Sequence, residues 1–379
     1  MKILQLIQTV DVSYGGPSRN SFELNLTLNK IDGVSAQLIY MKRTPNRSVI
    51  DTYGGALGPL PARRPAQLRL LDGRNAIGVR RLYALVRGAD VIVVHQYYLG
   101  WILPLAILAK LLRTPFVITP HGSLTFHQQT VSVLKKRIFE LLVGRFVRDS
   151  ATGWVTGSEI EAGELRASVP GARVSVGGVG TPVPQQSLTN GWHEPLRLLA
   201  LSRIAPKKRH DLILGAVGVL RERDINVHLD IVGDGPDELK MKLERQCQAL
   251  GIESVVTFHG QKTGQDKERF YFGSDIYVLP SDDENFGISL AEALAHGLPC
   301  VSSAAVAAAQ DLPLACGRVL SSPTPESIAD AVEDLQRGSR REFARAAQRY
   351  AQQNFSWMAA GQRWHEALVG IIEEDASGR

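Results

Sequence analysis

Apolar residues along this chain fall into short, nearly continuous runs, separated by stretches in which they recur every three or four positions. The runs are Ile3–Ile7, Ala36–Tyr40, Val91–Val94, Phe116–Thr119 and Gly153–Thr156, then Leu196–Leu201, Val227–Val232, Val255–Phe258, Ile276–Leu279 and Cys300–Ser302. Runs without regular polar alternation predict strands buried on both faces, and helical spacing between them predicts a parallel sheet covered on either side. The alternation occurs twice, interrupted by Gly177–Glu194, which carries glycines and prolines and reads as a linker. The pattern predicts an α/β chain of two Rossmann-like domains facing a cleft, 1–180 and 181–354, with a further helical stretch from Glu342 to Ile372.

Composition narrows the class. The chain has 379 residues, 44% hydrophobic and 21% charged. With a mean hydropathy of −0.06 it is an ordinary globular sequence, neither disordered nor multi-span. The longest apolar stretch, Leu99–Leu112, is broken by Pro104 and Lys110 and is shorter than the roughly 20 residues a span needs, so it reads as a buried helix of the α/β layer. The opening Met1–Gln8 is too short for a secretory h-region, and Cys247, Cys300 and Cys316 form no C-x-x-C. Both features lead us to expect a cytoplasmic protein with reduced, partly buried thiols.

Charge is unevenly distributed. Residues 1–180 hold 22 Lys and Arg against 11 Asp and Glu, whereas residues 181–379 hold 21 against 27. Seven arginines lie between Arg63 and Arg87 with one acid, Asp72, and a second cluster is Lys135, Lys136, Arg137, Arg145 and Arg148. Within Val131–Arg148, Val133, Leu134, Ile138, Leu141, Leu142 and Phe146 recur at helical spacing. Such a basic amphipathic helix is either a solvated surface face or a face for anionic lipid at the inner leaflet, and the two clusters together support a peripheral membrane protein. Nucleic acid is not expected as a partner, because no stacking aromatics interleave with the cations and the second half is acidic.

In open α/β sheets ligands bind beyond the carboxyl ends of the strands, so the segment after each strand carries the candidate chemistry. After the first strand, Gly15-Gly16-Pro17 could bring backbone amides to a phosphate or make a tight turn without a ligand. After the fourth, Pro120-His121-Gly122 places a histidine where it can hydrogen-bond a ligand or serve structure; His95 is a weaker candidate of the same kind. After Leu196–Leu201, the run Arg203 to Arg209 contains Arg203, Lys207, Lys208 and Arg209, a cation set that suits a diphosphate or a solvated loop. After Ile276–Leu279 comes Pro280-Ser281-Asp282-Asp283-Glu284-Asn285-Phe286-Gly287-Ile288, with a helix expected near Gly287. Its first amides could meet a phosphate, and Glu284 and Glu292 could grip sugar or ribose hydroxyls. Asp282 or Asp283 fits simple capping, but Glu292 sits among Leu290, Ala291, Ala293 and Leu294 and needs a partner or a ligand.

These residues carry a resemblance. Pro280 to Pro299 resembles the Pro-Ser-x-x-Glu-x-Phe-Gly-(x)4-Glu-Ala-x-Ala-x-Gly-x-Pro hallmark of retaining nucleotide-sugar glycosyltransferases of the GT-B fold, in the family 4-like group with an E-x(7)-E pair, here Glu284 and Glu292. Arg203 and Lys208 resemble the diphosphate clamp of that family, Gly15-Gly16 its N-terminal loop, and Pro120-His121-Gly122 its N-domain histidine; the four matches run in the family's order over nearly the whole chain. The resemblance implies an acceptor-side N-terminal domain joined by a C-terminal helix, about 355–379, that crosses back onto it, and a donor-binding C-terminal domain. It implies that Glu292 holds the ribose and Glu284 the donor sugar, that Arg203 and Lys208 neutralise the leaving diphosphate, and that the segment Asn285, Phe286, Gly287 and Ile288 assists. It further implies that His121 contacts the sugar and Gly16 the phosphates, with no metal or other cofactor. The expected reaction is transfer of a hexosyl unit, with retention, from a nucleoside-diphosphate sugar to a glycan or lipid-linked acceptor of bacterial-type surface polysaccharide synthesis. Lys135, Lys136 and Arg137 would lie on the membrane and acceptor side. The alternative on the same fold is a nucleotide-sugar epimerase or a non-catalytic sugar-nucleotide binding module. Two positions depart from the family pattern: Arg209 stands where a glycine commonly follows the clamp lysine, and Ser302–Gln310 is alanine-rich where Gly-Gly-x-x-Glu is often found.

Overall fold

Each of the ten apolar runs forms a strand, and among the described residues two further strands join them in a pair of parallel sheets. The computed structural model describes residues 1–10, 16–40, 79–130, 132–184 and 191–377. The strands are β1 Lys2–Ile7, β2 Ser35–Tyr40, β3 Val91–His95, β4 Phe116–Thr119, β5 Gly153–Thr156 and β6 Val174–Val176, then β7 Leu196–Leu201, β8 Val227–Val232, β9 Val256–Phe258, β10 Ile276–Leu279, β11 Cys300–Ser303 and β12 Gly317–Leu320. The strands β6 and β12 were not read from the sequence. All three residues of β6 are only partly buried, as are the last three of β12, so neither leaves an unbroken apolar run.

The chain divides into two compact units, Met1–Gly180 with Trp357–Arg379, and Thr181–Ser356. Among the described residues, the first unit's sheet has the order β2-β1-β3-β4-β5-β6 and the second's the order β12-β11-β10-β7-β8-β9. Read from β7, the second is the six-strand Rossmann order 3-2-1-4-5-6. In each, the direction of winding reverses once: between β1 and β3 in the first unit, and between β7 and β10 in the second. A crevice opens beyond the strand ends at such a reversal, which places β1, β3, β7 and β10 at the candidate sites.

Packing follows the period-2 pattern. In the first unit Leu4, Leu6, Ile92 and Val94 point to one core, while Ile3, Val91 and Val93 point to the other, where Trp364, Leu368 and Ile371 of the C-terminal helix Trp357–Ser377 also pack. That helix follows the helix Arg340–Asn354, so the helical stretch near the end of the chain is two helices; Ser356 and Phe355 pair with Thr181 at the break.

Two expectations on helices change. The helix Ile102–Leu112 buries Ile102, Leu105, Ala106 and Ala109, but Ile107 and Leu111 face solvent, so it is half-buried. The basic segment is not one continuous α-helix: α-turns over Val133–Phe139 and Arg145–Ser150 flank a π-helical turn, Glu140–Gly144. The wider turn lets Glu140 pair with Arg148, while Tyr97 donates to the Gly144 carbonyl at 3.1 Å. Of the seven arginines between 63 and 87, Arg63, Arg64, Arg69 and Arg74 lie outside the described residues, as does Gly15. The three cysteines are free and buried. Among the described residues no helix is long and apolar enough to cross a membrane.

Candidate active site

In the second unit the site is assembled from the two segments that leave β7 and β10. After β7 the chain forms a single 3-10 turn, Pro206–Lys208, before the helix His210–Glu222. It passes close under the loop after β8: a Cβ on Gly233 would sit 1.9 Å from the Ser202 carbonyl oxygen, and one on Gly235 2.2 Å from that of Ile204. Those two glycines, which sequence reasoning passed over, let the cationic segment lie flat over the strand ends.

After β10 the backbone runs to Gly287, whose φ is +97° and whose Cβ would clash with Val306 at 2.6 Å, so glycine is required to start the helix Ile288–Ala295. The alanine-rich segment braces this loop. Glu284 N–H donates to Ala305 O at 3.1 Å, and Ala308 N–H donates to Phe286 O at 2.8 Å. The segment that lacks the expected Gly-Gly-x-x-Glu thus holds Glu284 and Phe286 in place by backbone pairing.

The two loops meet through ion pairs. Lys208 contacts Glu284; Lys207 Nζ lies 3.0 Å from Asp283, and Asp282 N–H donates to the Lys207 carbonyl at 2.8 Å. Arg209 takes the left-handed conformation, φ +52°, that a glycine would adopt freely. Its guanidinium is held at 3.1 Å by both Asp211 and Asp282, which offsets a backbone cost of about 1 kcal/mol. Burial pushes the Lys208 ammonium down to about 8; Lys207 and Arg203 lower it further, and Asp283 opposes them. Arg203 is exposed and has no ion-pair partner among the described residues. Ser281, 1% exposed, and Asn285 each keep a side-chain oxygen with no hydrogen bond among the described residues.

Glu292 is 6% exposed on the helix that starts at Gly287. The demand for a partner is met from the helix Gly264–Gly273: Lys267 Nζ lies 2.7 Å from one carboxylate oxygen and Tyr271 Oη donates to the other at 2.9 Å. Their spacing of four residues puts both on one helix face. That relation was legible only as an i,i+4 pair, with nothing to aim it at Glu292. Burial and the Glu292 carboxylate hold the Tyr271 phenol well above its usual range, so it stays a donor.

In the first unit the ends of β3 and β4 bring together two imidazoles, His95 and His121. The described residues after β1 resume at Gly16, the first residue of the helix Gly16–Leu28. His121 follows β4, with φ +50°, beside Gly122 at φ +79°. Buried Glu161 fixes this turn by accepting Gly122 N–H at 2.5 Å and Gly157 N–H at 2.8 Å. His121 Nε2 lies 2.9 Å from His95 Nδ1, and His95 Nε2 lies 2.9 Å from Gln5 Oε1. Burial lowers both histidines; His121 falls to about 4, and the neighbouring ring lowers His95 further. Lys135 and Arg137 are exposed, while Lys136 reaches the Gln128 carbonyl and lies 5.1 Å over the Tyr98 ring.

The geometry places the cations and both glutamates of the hallmark at one winding reversal. Residues 189–354 match the family described as Glycosyl transferases group 1, and residues 43–180 match the Glycosyl transferase 4-like domain. The chain belongs to the GT-B glycosyltransferases. Among relatives of this glycosyltransferase, mannosylfructose-phosphate synthase of Agrobacterium fabrum is 36% identical over 110 residues, covering 27% of this chain and 24% of that protein. A GDP-mannose-dependent alpha-(1-6)-phosphatidylinositol monomannoside mannosyltransferase of Mycolicibacterium smegmatis is 30% identical over 186 residues, 46% of this chain and 48% of that one. The glycosyltransferase chain therefore matches less than half the length of either relative. Among solved structures, Anabaena HepE in complex with UDP has the same fold, with a TM-score of 0.71 at 19% identity over 98% of this chain and 100% of that one.

Proposed function

We propose that this protein transfers a hexosyl unit from a nucleoside-diphosphate sugar to a glycan or lipid-linked acceptor, with retention of anomeric configuration, in the synthesis of a bacterial-type surface polysaccharide. The observation that carries the reading is the meeting of Lys208 and Glu284, 76 residues apart, at the β7/β10 reversal. A leaving diphosphate and a hexose are the two halves of one substrate, and the cation and the carboxylate suit them in turn. Arg203, exposed and without an ion-pair partner among the described residues, is the second phosphate ligand. Glu292 grips the ribose hydroxyls, and Asn285 and Ser281 supply the spare acceptors noted above. Gly15 and Gly16 approach the phosphates, and Phe286 to Ile288 offer amides at the helix start.

Breaking the anomeric bond develops an oxocarbenium-like sugar and a diphosphate leaving group. Lys208 and Arg203 stabilise the departing charge, a part otherwise played by a metal ion. His121 contacts the sugar, and attack comes from the face the leaving group vacates. A thermal-shift screen with UDP, GDP, ADP and their hexose conjugates tests the donor site: one nucleotide should stabilise the wild type and fail to stabilise Arg203→Ala and Glu292→Ala. Product anomeric configuration by NMR tests retention, and a covalent sugar on Glu284 would exclude front-face attack. Donor turnover without an acceptor, with inversion at a sugar carbon, would mark the epimerase instead.

The acceptor side has its own support. Leu134, Leu141 and Leu142 are 72%, 83% and 70% exposed beside Lys135 and Arg137, and Leu111 is 75% exposed on the helix that packs beside Phe146 through Lys110. Apolar side chains left in water among cations suit insertion into an anionic leaflet. Flotation with phosphatidylglycerol vesicles should lift the wild type, and both Leu141→Ser/Leu142→Ser and Lys135→Glu/Arg137→Glu should abolish this. Wild type that stays with the soluble fraction would assign a soluble acceptor.

A further inference from the structure

His121 ends a buried polar chain that runs across the first unit's sheet. Asn25, on the helix Gly16–Leu28, accepts from Gln5 Nε2 at 3.1 Å; Gln5 Oε1 lies 2.9 Å from His95 Nε2; His95 Nδ1 lies 2.9 Å from His121 Nε2. Gln5 and His95 are both 0% exposed, Gln5 in the middle of β1 and His95 at the end of β3. A buried amide and a buried imidazole on parallel strands cost stability unless every link is satisfied. Such a chain has one polarity. Gln5 Oε1 only accepts, so His95 Nε2 carries the hydrogen; His95 Nδ1 is then a lone pair, and His121 Nε2 must donate to it. The remaining ring nitrogen, His121 Nδ1, is left as an unprotonated acceptor with no hydrogen bond among the described residues.

The setting is closely packed. The two rings stack with centroids 5.2 Å apart, Trp364 of the C-terminal helix tilts against His95 at 6.3 Å, and Glu161 locks the left-handed turn at His121 and Gly122. A non-glycine residue held at positive φ marks a place where the surroundings pay for a fixed orientation. We propose that Gln5 and His95 are positioning residues that fix His121 as its Nε2–H tautomer, so that Nδ1 accepts a hydrogen bond from a hydroxyl of the donor hexose. The proposal rests on the reading of His121 as a donor-sugar contact. It adds that the ring works as an acceptor, and that its tautomer is chosen two residues away.

Nitrogen-15 NMR of the histidine rings in the full chain reads the tautomers directly, and His121→Asn assigns the signal. Wild type should show Nε2–H at both His95 and His121. In His95→Leu the acceptor is gone; His121 should shift toward Nδ1–H and kcat should fall by about ten- to a hundredfold, the worth of one or two hydrogen bonds, with nucleotide affinity unchanged. In His95→Gln the amide oxygen can accept from His121 and the amide nitrogen can donate to Gln5, so tautomer and kcat should both return. Gln5→Met, which removes the chain's acceptor, gives the same reading if His95→Leu fails to fold. An Nδ1–H His121 in wild type would overturn the proposal. So would a fall in kcat in His95→Leu with the tautomer unchanged, or His95→Gln no better than His95→Leu at equal Tm. Wild type that turns over no nucleotide sugar would instead fail the transferase reading, whatever the rings show.

Discussion

The two units use one architectural device and fill it with opposite chemistry. Each gathers candidate residues around the winding reversal of a parallel sheet: β7/β10 in the second, and in the first β1 and β3, with His121 on the turn after the neighbouring β4. In the second unit those residues are ions held by ions: Lys208 with Glu284, Lys267 with Glu292, Lys207 with Asp283, Arg209 with Asp211 and Asp282. In the first they are neutral, a chain of amides and imidazoles whose information is the direction of each hydrogen. Charge suits a diphosphate, which is recognised through its field. A hexose has no charge, and only the donor and acceptor pattern of its hydroxyls distinguishes it. The contrast teaches that a winding reversal fixes where a crevice lies, while the polarity of the groups around it fixes what kind of chemistry it can read.

Breaking the contrast at its strongest point should have the largest effect. Lys208→Met, or Arg203→Ala, should reduce kcat/KM for the donor by about two to three orders of magnitude, as expected when one group that stabilises transition-state charge is lost. His121→Ala should lower kcat and leave nucleotide binding by calorimetry intact, because no charge is removed. Next comes the buried ion pair. Lys267→Met strips Glu292 of its counter-ion and should destabilise the second unit by about 3 kcal/mol, read as a lower denaturant midpoint at unchanged m-value.

The pH dependence should have opposite signs in the two units. Lys208 sits at about 8, so donor affinity should hold below that pH and weaken above it as the ammonium deprotonates. Glu284→Gln removes the adjacent anion and should move the decline to lower pH. His121 is at about 4 in the fold against roughly 6.5 in the unfolded chain, and His95 is lowered as well. The unfolded state therefore binds protons first, and the stabilisation present above about 6.5 should drain as pH falls toward 4, seen as a falling Tm. The smallest effect is expected at Arg209→Gly. Relief of the left-handed backbone and loss of two half-exposed ion pairs oppose each other, and stability should change by less than about 1 kcal/mol in chemical denaturation.

Much of this was legible in one dimension. The apolar runs gave the strands of the parallel sheets because a strand buried on both faces leaves an unbroken signal, and β6 and β12 were missed because their side chains are half in water. The spacing of Glu284 and Glu292 and the start of a helix at Gly287–Ile288 were also readable, since loop chemistry and a helix start lie within a few residues of each other. The isolated carboxylate of Glu292 announced that it needed a partner, but could not name Lys267 and Tyr271, which stand 25 and 21 residues earlier. Gln5 interrupts the first apolar run and was read through as part of it. A buried amide in such a strand is the signal that would have pointed to the chain ending at His121.

The sequence by itself determined the local periods, the element types and the residue kinds at each strand end, because these depend on interactions within a few positions along the chain. Tertiary structure alone decided which of those residues meet. Parallel strands are joined by long crossovers, so side chains that share a strand-end crevice are separated by tens of residues, and no local pattern records their pairing. The same holds for the outward turn of Leu134, Leu141 and Leu142: helical spacing marks an apolar stripe, but only packing shows whether that stripe faces a core or water. It holds most of all for His121, whose hydrogen is placed by a glutamine 116 residues away through a ring that the fold alone sets between them.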